Sequence, residues 1–272
     1  MNHFKKNKDI SDILERLRAK KLVPFVGTGM SSHLGLPDWQ ELVNKVASMT
    51  GQNPEEIKEK RDLLVSIEYL VILGHDKVND ILSDILQKAI DSSVQSHRHE
   101  CLAQFDAPTI YTTNWDNVIE HTYDRLSRPY NLVETASDFL RLDPSITTII
   151  KYHGSLSHPE TLVITESDYY DRFGIDSPFD LRLRADLMEK SLLFLGYSLR
   201  DYNVRYIWNR AQKTLNRVLD SGAKPPPSYF VSVSRDNVFE TVLSKNNIIT
   251  INLDSKDQFP IFLEYLANNL NM

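Results

Sequence analysis

Apolar residues recur along this chain in two patterns. Between Ile10 and Leu17 they come at helical spacing, with charged residues such as Glu15 and Arg16 on the other faces, which predicts an amphipathic first helix. Elsewhere they form short continuous runs, as is typical of strands that are buried on both faces. Six such runs predict strands, at residues 22–26, 109–112, 147–151, 192–195, 229–233 and 248–251.

Helical patterns separate most of the predicted strands. One helix begins in the segment 36–39 and runs to about residue 49, and others are predicted at 115–127, 178–190, 202–218, 236–244 and 257–270. Residues 51–104 are charged and rich in Leu and Ile at helical spacing, which indicates a helical insertion. Strands alternating with helices predict a single α/β domain over residues 1–272, with a mainly parallel sheet and helices on both faces.

Composition and charge exclude several classes of protein. The 272 residues carry 31 Lys and Arg against 37 Asp and Glu, and this net charge of -6 offers no broad field for a nucleic-acid backbone. The single cysteine, Cys101, cannot build a disulfide framework or a multi-cysteine zinc site. No apolar run reaches the length of a membrane span, and the first residues lack the apolar stretch of a signal peptide. We therefore expect a cytoplasmic protein that binds neither membranes nor nucleic acid.

Candidate chemistry lies directly after the predicted strands, because ligands of open α/β sheets bind beyond the carboxyl ends of the strands. After the first strand, Gly27 and Gly29 permit close approach of the backbone, and Thr28, Ser31 and amides of a following helix could bind a pyrophosphate. A tight turn needs small residues even without a ligand, so the motif has both explanations. It is neither a full GxGxxG motif nor a Walker motif with its lysine.

Polar residues also follow two later strands. Asn114 and Asp116 place an amide and a carboxylate at one strand end, although either could simply cap the next helix. His153 precedes Gly154 at another strand end and is a candidate general base, although a single histidine often serves structure alone. The run at residues 97–99, His-Arg-His, lacks nearby cysteines and is interpreted as a surface feature of a helix rather than a metal site.

Six short motifs, taken in order, resemble the sirtuin (SIR2) superfamily, and in particular its SIR2-like branch found in many bacterial antiviral defence proteins. They span roughly residues 20–210 and are VGTGMS at 26–31, LPDW at 36–39, TTNWD at 112–116, KYHGS at 151–155, ITESDY at 164–169 and FLGYSLRD at 194–201. The resemblance implies a Rossmann-like fold that binds NAD.

The resemblance also implies roles for individual residues. The glycine turn, with Gly27, Thr28, Gly29 and Ser31, would hold the pyrophosphate of NAD. Asp38 and Trp39 would belong to a mobile loop that covers the NAD. The remaining site residues would act at the nicotinamide ribose (Asn114 and His153), at the carboxamide (Asp116) and on the adenosine side (Gly196 and Ser198).

One departure from the deacylating sirtuins narrows the expected reaction. Those enzymes carry four zinc-binding cysteines in a module after the histidine, whereas the stretch 156–173 contains none. The resemblance therefore implies hydrolysis of NAD to nicotinamide and ADP-ribose, without a metal. Two alternatives stay open: a sensor that binds NAD or ADP-ribose without cleaving it, and a zinc-independent deacylase or ADP-ribosyltransferase.

Uncontrolled hydrolysis of NAD would exhaust a cell, so this activity implies restraint. The chain shows no obvious sensor domain after its α/β core. We therefore expect a homo-oligomer or a separately encoded regulatory protein.

Overall fold

The computed structural model describes residues 2–5, 7–37, 39–58, 62–74, 77–89, 95–174, 177–197, 208–209 and 225–270. Within these residues seven parallel strands form one sheet in the order β3-β4-β2-β1-β5-β6-β7. The strands are β1 (Leu22–Val26), β2 (Thr109–Thr112), β3 (Tyr130–Val133), β4 (Thr147–Lys151), β5 (Ser191–Leu195), β6 (Ser228–Ser232) and β7 (Ile248–Asn252).

The structure confirms the predicted α/β class and adds one strand that was not predicted. Strand β3 lies at the edge of the sheet and pairs only with β4. Tyr130, Asn131 and Leu132 are half-buried, and only Val133 is buried. An edge strand of this kind needs no continuous apolar run, which is why the hydrophobic pattern did not reveal it.

Twelve α-helices occur in the described residues. They are α1 (Asn2–Lys5), α2 (Lys8–Arg18), α3 (Trp39–Met49), α4 (Pro54–Lys58), α5 (Leu63–Gly74), α6 (Lys77–Ala89), α7 (His97–Gln104), α8 (Val118–Arg125), α9 (Glu166–Gly174), α10 (Pro178–Glu189), α11 (Asn237–Lys245) and α12 (Gln258–Asn268). The helix predicted at 202–218 lies outside the described residues, apart from 208–209.

The side chains of the central strands alternate between two hydrophobic cores, one on each face of the sheet. Leu22 and Val26 of β1 belong to the first core, while Val23 and Phe25 belong to the second. Helices α2, α7, α8 and α12 cover the first face, and helices α10 and α11 cover the second. This two-sided burial explains why the central strands read as continuous apolar runs.

A third hydrophobic cluster joins helices α3 to α6 to the carboxyl edge of the sheet. The buried residues of these helices pack with Trp115 and Val118 after β2, and with Leu162 and Ile164 after β4. Helix α7 differs, because its Cys101, Leu102 and Ala103 belong to the first core. The helices of residues 51–104 therefore contact two parts of the molecule, and the division of the chain into one domain with an insertion stays a prediction.

Candidate active site

The carboxyl ends of the four central strands lie level with one another. Val26 of β1 pairs with Thr112 of β2 on one side and with Leu195 of β5 on the other. Thr112 in turn pairs with Lys151 of β4. Within the sheet, β2 is the neighbour of β1 on one side and β5 is its neighbour on the other. The strand order therefore reverses at β1, and a crevice is expected there.

The turn after β1 packs directly against the loop after β5. The amide of Gly27 donates to the carbonyl of Leu195 (3.0 Å), and that of Gly29 donates to the carbonyl of Gly196 (2.8 Å). A Cβ added to Gly29 would lie 2.8 Å from Gly196 Cα, and one added to Gly196 would lie 2.3 Å from the amide nitrogen of Met30. Close packing of the two loops therefore requires glycine at positions 29 and 196, whether or not a ligand binds there.

The same turn has fewer backbone amides free to bind a pyrophosphate than the sequence suggested. Two short 3-10 turns, Thr28–Met30 and Ser32–Leu34, follow β1 in place of an α-helix. The amides of Met30 and Ser31 donate to carbonyls of the preceding turn, at 3.0 Å each, in addition to those of Gly27 and Gly29. The Ser31 side chain is different, because its Oγ is buried and has no hydrogen bond within the described residues.

Asn114 and Asp116 follow β2, and only one of them takes the capping role. The Asp116 carboxylate, one residue before the N-cap position, accepts a hydrogen bond from the amide of Val118 (3.2 Å) and so satisfies one of the free amides at the start of α8. Asn114 makes no such contact: its own amide donates to Thr112 Oγ1 (3.0 Å), and its buried Oδ1 has no hydrogen-bond partner in the described part of the chain. The capping explanation thus fits Asp116 and does not fit Asn114.

His153 lies two residues beyond the end of β4, as Asn114 lies two residues beyond the end of β2. Its carbonyl accepts hydrogen bonds from Trp115 Nε1 (3.1 Å) and from the amide of Val163 (3.0 Å). Its ring is buried, with the Tyr169 ring edge-on at 5.7 Å between centroids. The structure therefore fixes His153 at the same edge of the sheet as Asn114.

The ITESDY motif has a clear local function in this arrangement. The Asp168 carboxylate accepts hydrogen bonds from the amides of Ile164 (2.9 Å) and Thr165 (2.8 Å), and Thr165 Oγ1 accepts one from the amide of Asp168 (3.1 Å). This reciprocal capping starts α9 and places Tyr169 against His153.

Trp39, at the start of α3, reaches the site through Trp115. The centroids of the two indole rings are 5.5 Å apart, with the rings at a steep angle of 64°. Since Trp115 also bonds the carbonyl of His153, a chain of contacts joins α3, the end of β2 and the end of β4. The two remaining predicted site residues, Asp38 and Ser198, lie outside the described residues.

Helix α7 supplies polar residues that the sequence interpretation missed. Only His97 of the run 97–99 is a surface residue; His99 is buried, and Arg98 donates to the carbonyl of Gly29 in the glycine turn (3.0 Å). The interpretation of this run as a surface feature was wrong. His99 shares a helix face with Leu102 and Ala103, at spacings of three and four, and this pattern could have revealed its burial.

His99 belongs to a short hydrogen-bonded chain. Its Nδ1 lies 2.6 Å from Ser96 Oγ, which lies 3.1 Å from His33 Nε2. Burial lowers the pKa of His99 to about 4, although the nearby Asp116 carboxylate partly opposes that shift. His99 is therefore neutral at physiological pH, and its buried Nε2 has no hydrogen bond within the described residues.

Two further findings concern the described residues as a whole. None of their groups of His, Cys, Asp and Glu has the clustering that holds a metal ion. None of their helices is both long enough and apolar enough to cross a membrane.

The fold and the site define a class: an α/β protein with a parallel sheet and a buried polar site at the carboxyl edge of its central strands. The family model described as SIR2-like domain matches residues 108–251, which is more than half of the chain. The protein therefore belongs to the SIR2-like domain family.

Curated relatives match a larger part of the chain at modest identity. NAD(+) hydrolase ThsA of Bacillus cereus (strain MSX-D12) is 24% identical over 96% of this chain and 57% of its own length. NAD(+) hydrolase ThsA of Enterococcus faecium is 30% identical over 67% of this chain and 38% of its own length. Defense-associated sirtuin 2 of Bacillus subtilis is 27% identical over 75% of this chain and 20% of its own length. This chain thus spans little more than half the length of the Bacillus cereus relative and a smaller part of the other two.

A solved structure shares the fold. The crystal structure of a SIR2 homolog–NAD complex covers 96% of this chain and 94% of its own, with a TM-score of 0.55 and 12% sequence identity. At this identity the likeness concerns the fold alone, and it agrees with the predicted Rossmann-like architecture.

Proposed function

We propose that this protein hydrolyses NAD at the nicotinamide–ribose bond, giving nicotinamide and ADP-ribose. The observation that carries the proposal is the pair formed by Asn114 and His153, buried at the ends of the neighbouring strands β2 and β4. Three findings support it: the SIR2-like domain matched in this chain, the names of its relatives as NAD(+) hydrolases, and the large part of this chain that those relatives match.

The reaction suits a site without a strong acid. Nicotinamide is already a cationic leaving group in NAD, so catalysis needs stabilisation of the oxocarbenium-like charge that develops on the ribose. As the carbon–nitrogen bond breaks, its electron pair leaves with nicotinamide and a water oxygen bonds to the ribose carbon. We assign Asn114 Oδ1 to orienting the ribose or this water, and His153 to accepting the proton, directly or through a ribose hydroxyl.

The other residues of the site would bind the rest of NAD. Ser31 Oγ, which is buried and has no hydrogen bond within the described residues, is the group best suited to a pyrophosphate oxygen in the turn that contains Gly27, Thr28 and Gly29. We assign Asp116 to the nicotinamide carboxamide. The loop with Asp38 and Trp39 would cover the NAD, and Gly196 and Ser198 would line the adenosine side.

The test is to incubate the purified protein with NAD and to separate the products by chromatography. We expect nicotinamide and ADP-ribose from the wild type, and a loss of at least about a hundredfold in rate for Asn114→Ala and for His153→Ala. Thr109→Ala, at the buried start of β2, controls for a general effect of trimming a polar side chain. Equal rates for the wild type and both site variants would contradict the assignment.

Two other outcomes would identify the alternatives. Tight binding of NAD without cleavage under every condition would indicate a sensor. Release of nicotinamide only when an acceptor peptide or protein is present would indicate a deacylase or an ADP-ribosyltransferase.

The cellular role follows from the reaction. We propose that the protein acts in the cytoplasm, in antiphage defence, by depleting NAD. Because such an activity must be restrained, we further propose that a homo-oligomer or a separately encoded partner controls it.

A further inference from the structure

Lys151 is an unusual residue for the last position of a central strand. Its side chain is fully buried, and its Nζ donates to the carbonyl of Asp116 at 2.5 Å. The same ammonium lies 3.0 Å from Glu120 Oε1 and 3.4 Å from Asn117 Oδ1. The contact with Glu120 is an ion pair without a hydrogen bond. All three oxygens lie on one short stretch of chain, between the end of β2 and the first turn of α8.

Stability alone gives a weak reason for this arrangement. Removing an ammonium and a carboxylate from water has a large cost, and a buried ion pair is seldom more stabilising than apolar side chains of similar volume. The Glu120 side chain is only 6% exposed, and Lys151 is the cation that neutralises it. The pair does, however, fix the position of the segment that it binds.

That segment carries one half of the proposed catalytic pair, and Lys151 lies close to the other half. Asn114 is two residues before the Asp116 carbonyl, and His153 is two residues after Lys151. A second bond, from Trp115 Nε1 to the carbonyl of His153, crosses the same gap in the opposite direction. These two side-chain hydrogen bonds, one from each side, add to the main-chain bond from the amide of Tyr152 to the carbonyl of Thr112 (2.7 Å), which also joins the ends of β2 and β4.

We infer that Lys151 is a positioning residue: its hydrogen bond to the Asp116 carbonyl holds Asn114 at its working distance from His153. This inference rests on the proposed NAD hydrolysis. Lys151 has no role in binding the pyrophosphate, because its contacts are with the segment after β2. The Asp116 side chain, which is assigned to the carboxamide, is held separately by the amide of Val118. Loss of Lys151 should therefore lower kcat and leave KM nearly unchanged.

The main test uses a double variant, because Lys151→Met alone would leave the buried Glu120 charge unpaired and endanger folding. We would compare Lys151→Met with Glu120→Gln, Glu120→Gln alone, and the wild type. The single variant removes the charge of residue 120 and keeps Lys151, so the bond from Nζ to the carbonyl of Asp116 remains. Lys190→Met controls for the loss of another lysine–carboxylate pair, since Lys190 bonds Asp186 at 2.7 Å on helix α10.

We expect kcat for nicotinamide release to fall by about tenfold to a hundredfold in the double variant, with KM within about twofold of the wild type. Glu120→Gln and Lys190→Met should retain kcat within about threefold of the wild type. A folded double variant with the kcat of Glu120→Gln would overturn the inference, and so would a loss confined to KM.

Hydrogen–deuterium exchange provides a readout that does not depend on activity. Uptake over residues 113–119 should increase in the double variant and stay at the wild-type level in the two controls. Increased uptake across the whole sheet would identify Lys151 as a general stabilising residue and overturn the inference. If the wild type binds NAD but fails to cleave it under every condition, with and without a partner protein, the proposed function is wrong, whereas the exchange comparison still decides whether Lys151 positions the segment.

Discussion

Several buried polar atoms at one edge of the sheet have no hydrogen bond within the described residues. Three of them are Ser31 Oγ, His99 Nε2 and Asn114 Oδ1. A buried polar group left without a partner costs about 1–3 kcal/mol, so folded proteins usually satisfy such atoms internally. That three different elements each present such an atom near the glycine turn and the end of β2 favours a polar ligand at this edge.

His99 makes the stability of the protein depend on pH. Its pKa is about 4 in the folded state against an ordinary value of 6.5, so the unfolded chain binds the additional proton between these limits. The free energy of unfolding should therefore decrease as the pH falls from about 6.5 to about 4. The contribution of His99 over this window is about 3 kcal/mol, since one pKa unit corresponds to about 1.4 kcal/mol.

Urea unfolding of the wild type and of His99→Gln at several pH values would check this prediction. The glutamine can still bond Ser96 but does not titrate, so its curve should be flatter between pH values of about 6.5 and about 4. Parallel curves for the two proteins would show that His99 does not have the lowered pKa.

At the scale of elements, contacts between segments that are distant in the sequence explain why Gly29 and Gly196 must be glycine. The sequence correctly predicted a tight turn at 27–29, and it correctly placed Gly196 directly after a strand. It could not show that Gly29 and Gly196 pack against each other, because that contact depends on β1 and β5 being neighbours in the sheet. The amides of the turn are likewise bonded internally for a reason that appears only in three dimensions.

The same distinction explains what the sequence could predict elsewhere. Strands buried on both faces leave continuous apolar runs, so six strands and the carboxyl-edge positions of Asn114 and His153 were predictable. The edge strand β3 leaves no such run. Neighbours of Arg98 and Lys151 are set by tertiary packing, so their contacts with the glycine turn and the Asp116 carbonyl could not be predicted from spacing.

The packing of the glycine turn can be tested with Gly196→Ala. This residue has φ 60°, and an added Cβ would overlap the backbone of Met30 and Gly29. Gly51→Ala is a matched control, because Gly51 has φ 76° and nothing within 4 Å of its added Cβ. We expect Gly51→Ala to cost about 1 kcal/mol of unfolding free energy, through its backbone conformation alone.

Gly196→Ala should cost a further 1–3 kcal/mol or so, because the backbone that it would meet cannot move aside as a flexible side chain can. Denaturant unfolding of both variants measures the difference directly. Similar losses for the two variants would mean that the turn and the loop after β5 can separate to admit a methyl group.

At the scale of the whole molecule, the site contacts two groups of helices besides the sheet. The third hydrophobic cluster places helices α3 to α6 against Trp115, which bonds the carbonyl of His153. Helix α7 connects the first core to the glycine turn through Arg98. A displacement of helices α3 to α6 would therefore reach His153, and a displacement of α7 would reach the glycine turn, without any change in the sheet itself.

This coupling suggests how assembly could control the proposed hydrolase. If activity requires association of identical chains, specific activity should rise with protein concentration, because mass action shifts the population toward the assembled state. If a separately encoded partner is required, the purified protein should stay inactive at every concentration. Both cases can be distinguished by measuring mass with size-exclusion chromatography and light scattering alongside nicotinamide release. Asn114→Ala should assemble as the wild type does while remaining inactive, which separates assembly from chemistry. A monomer with full activity at every concentration, without any added protein, would contradict restraint by either route.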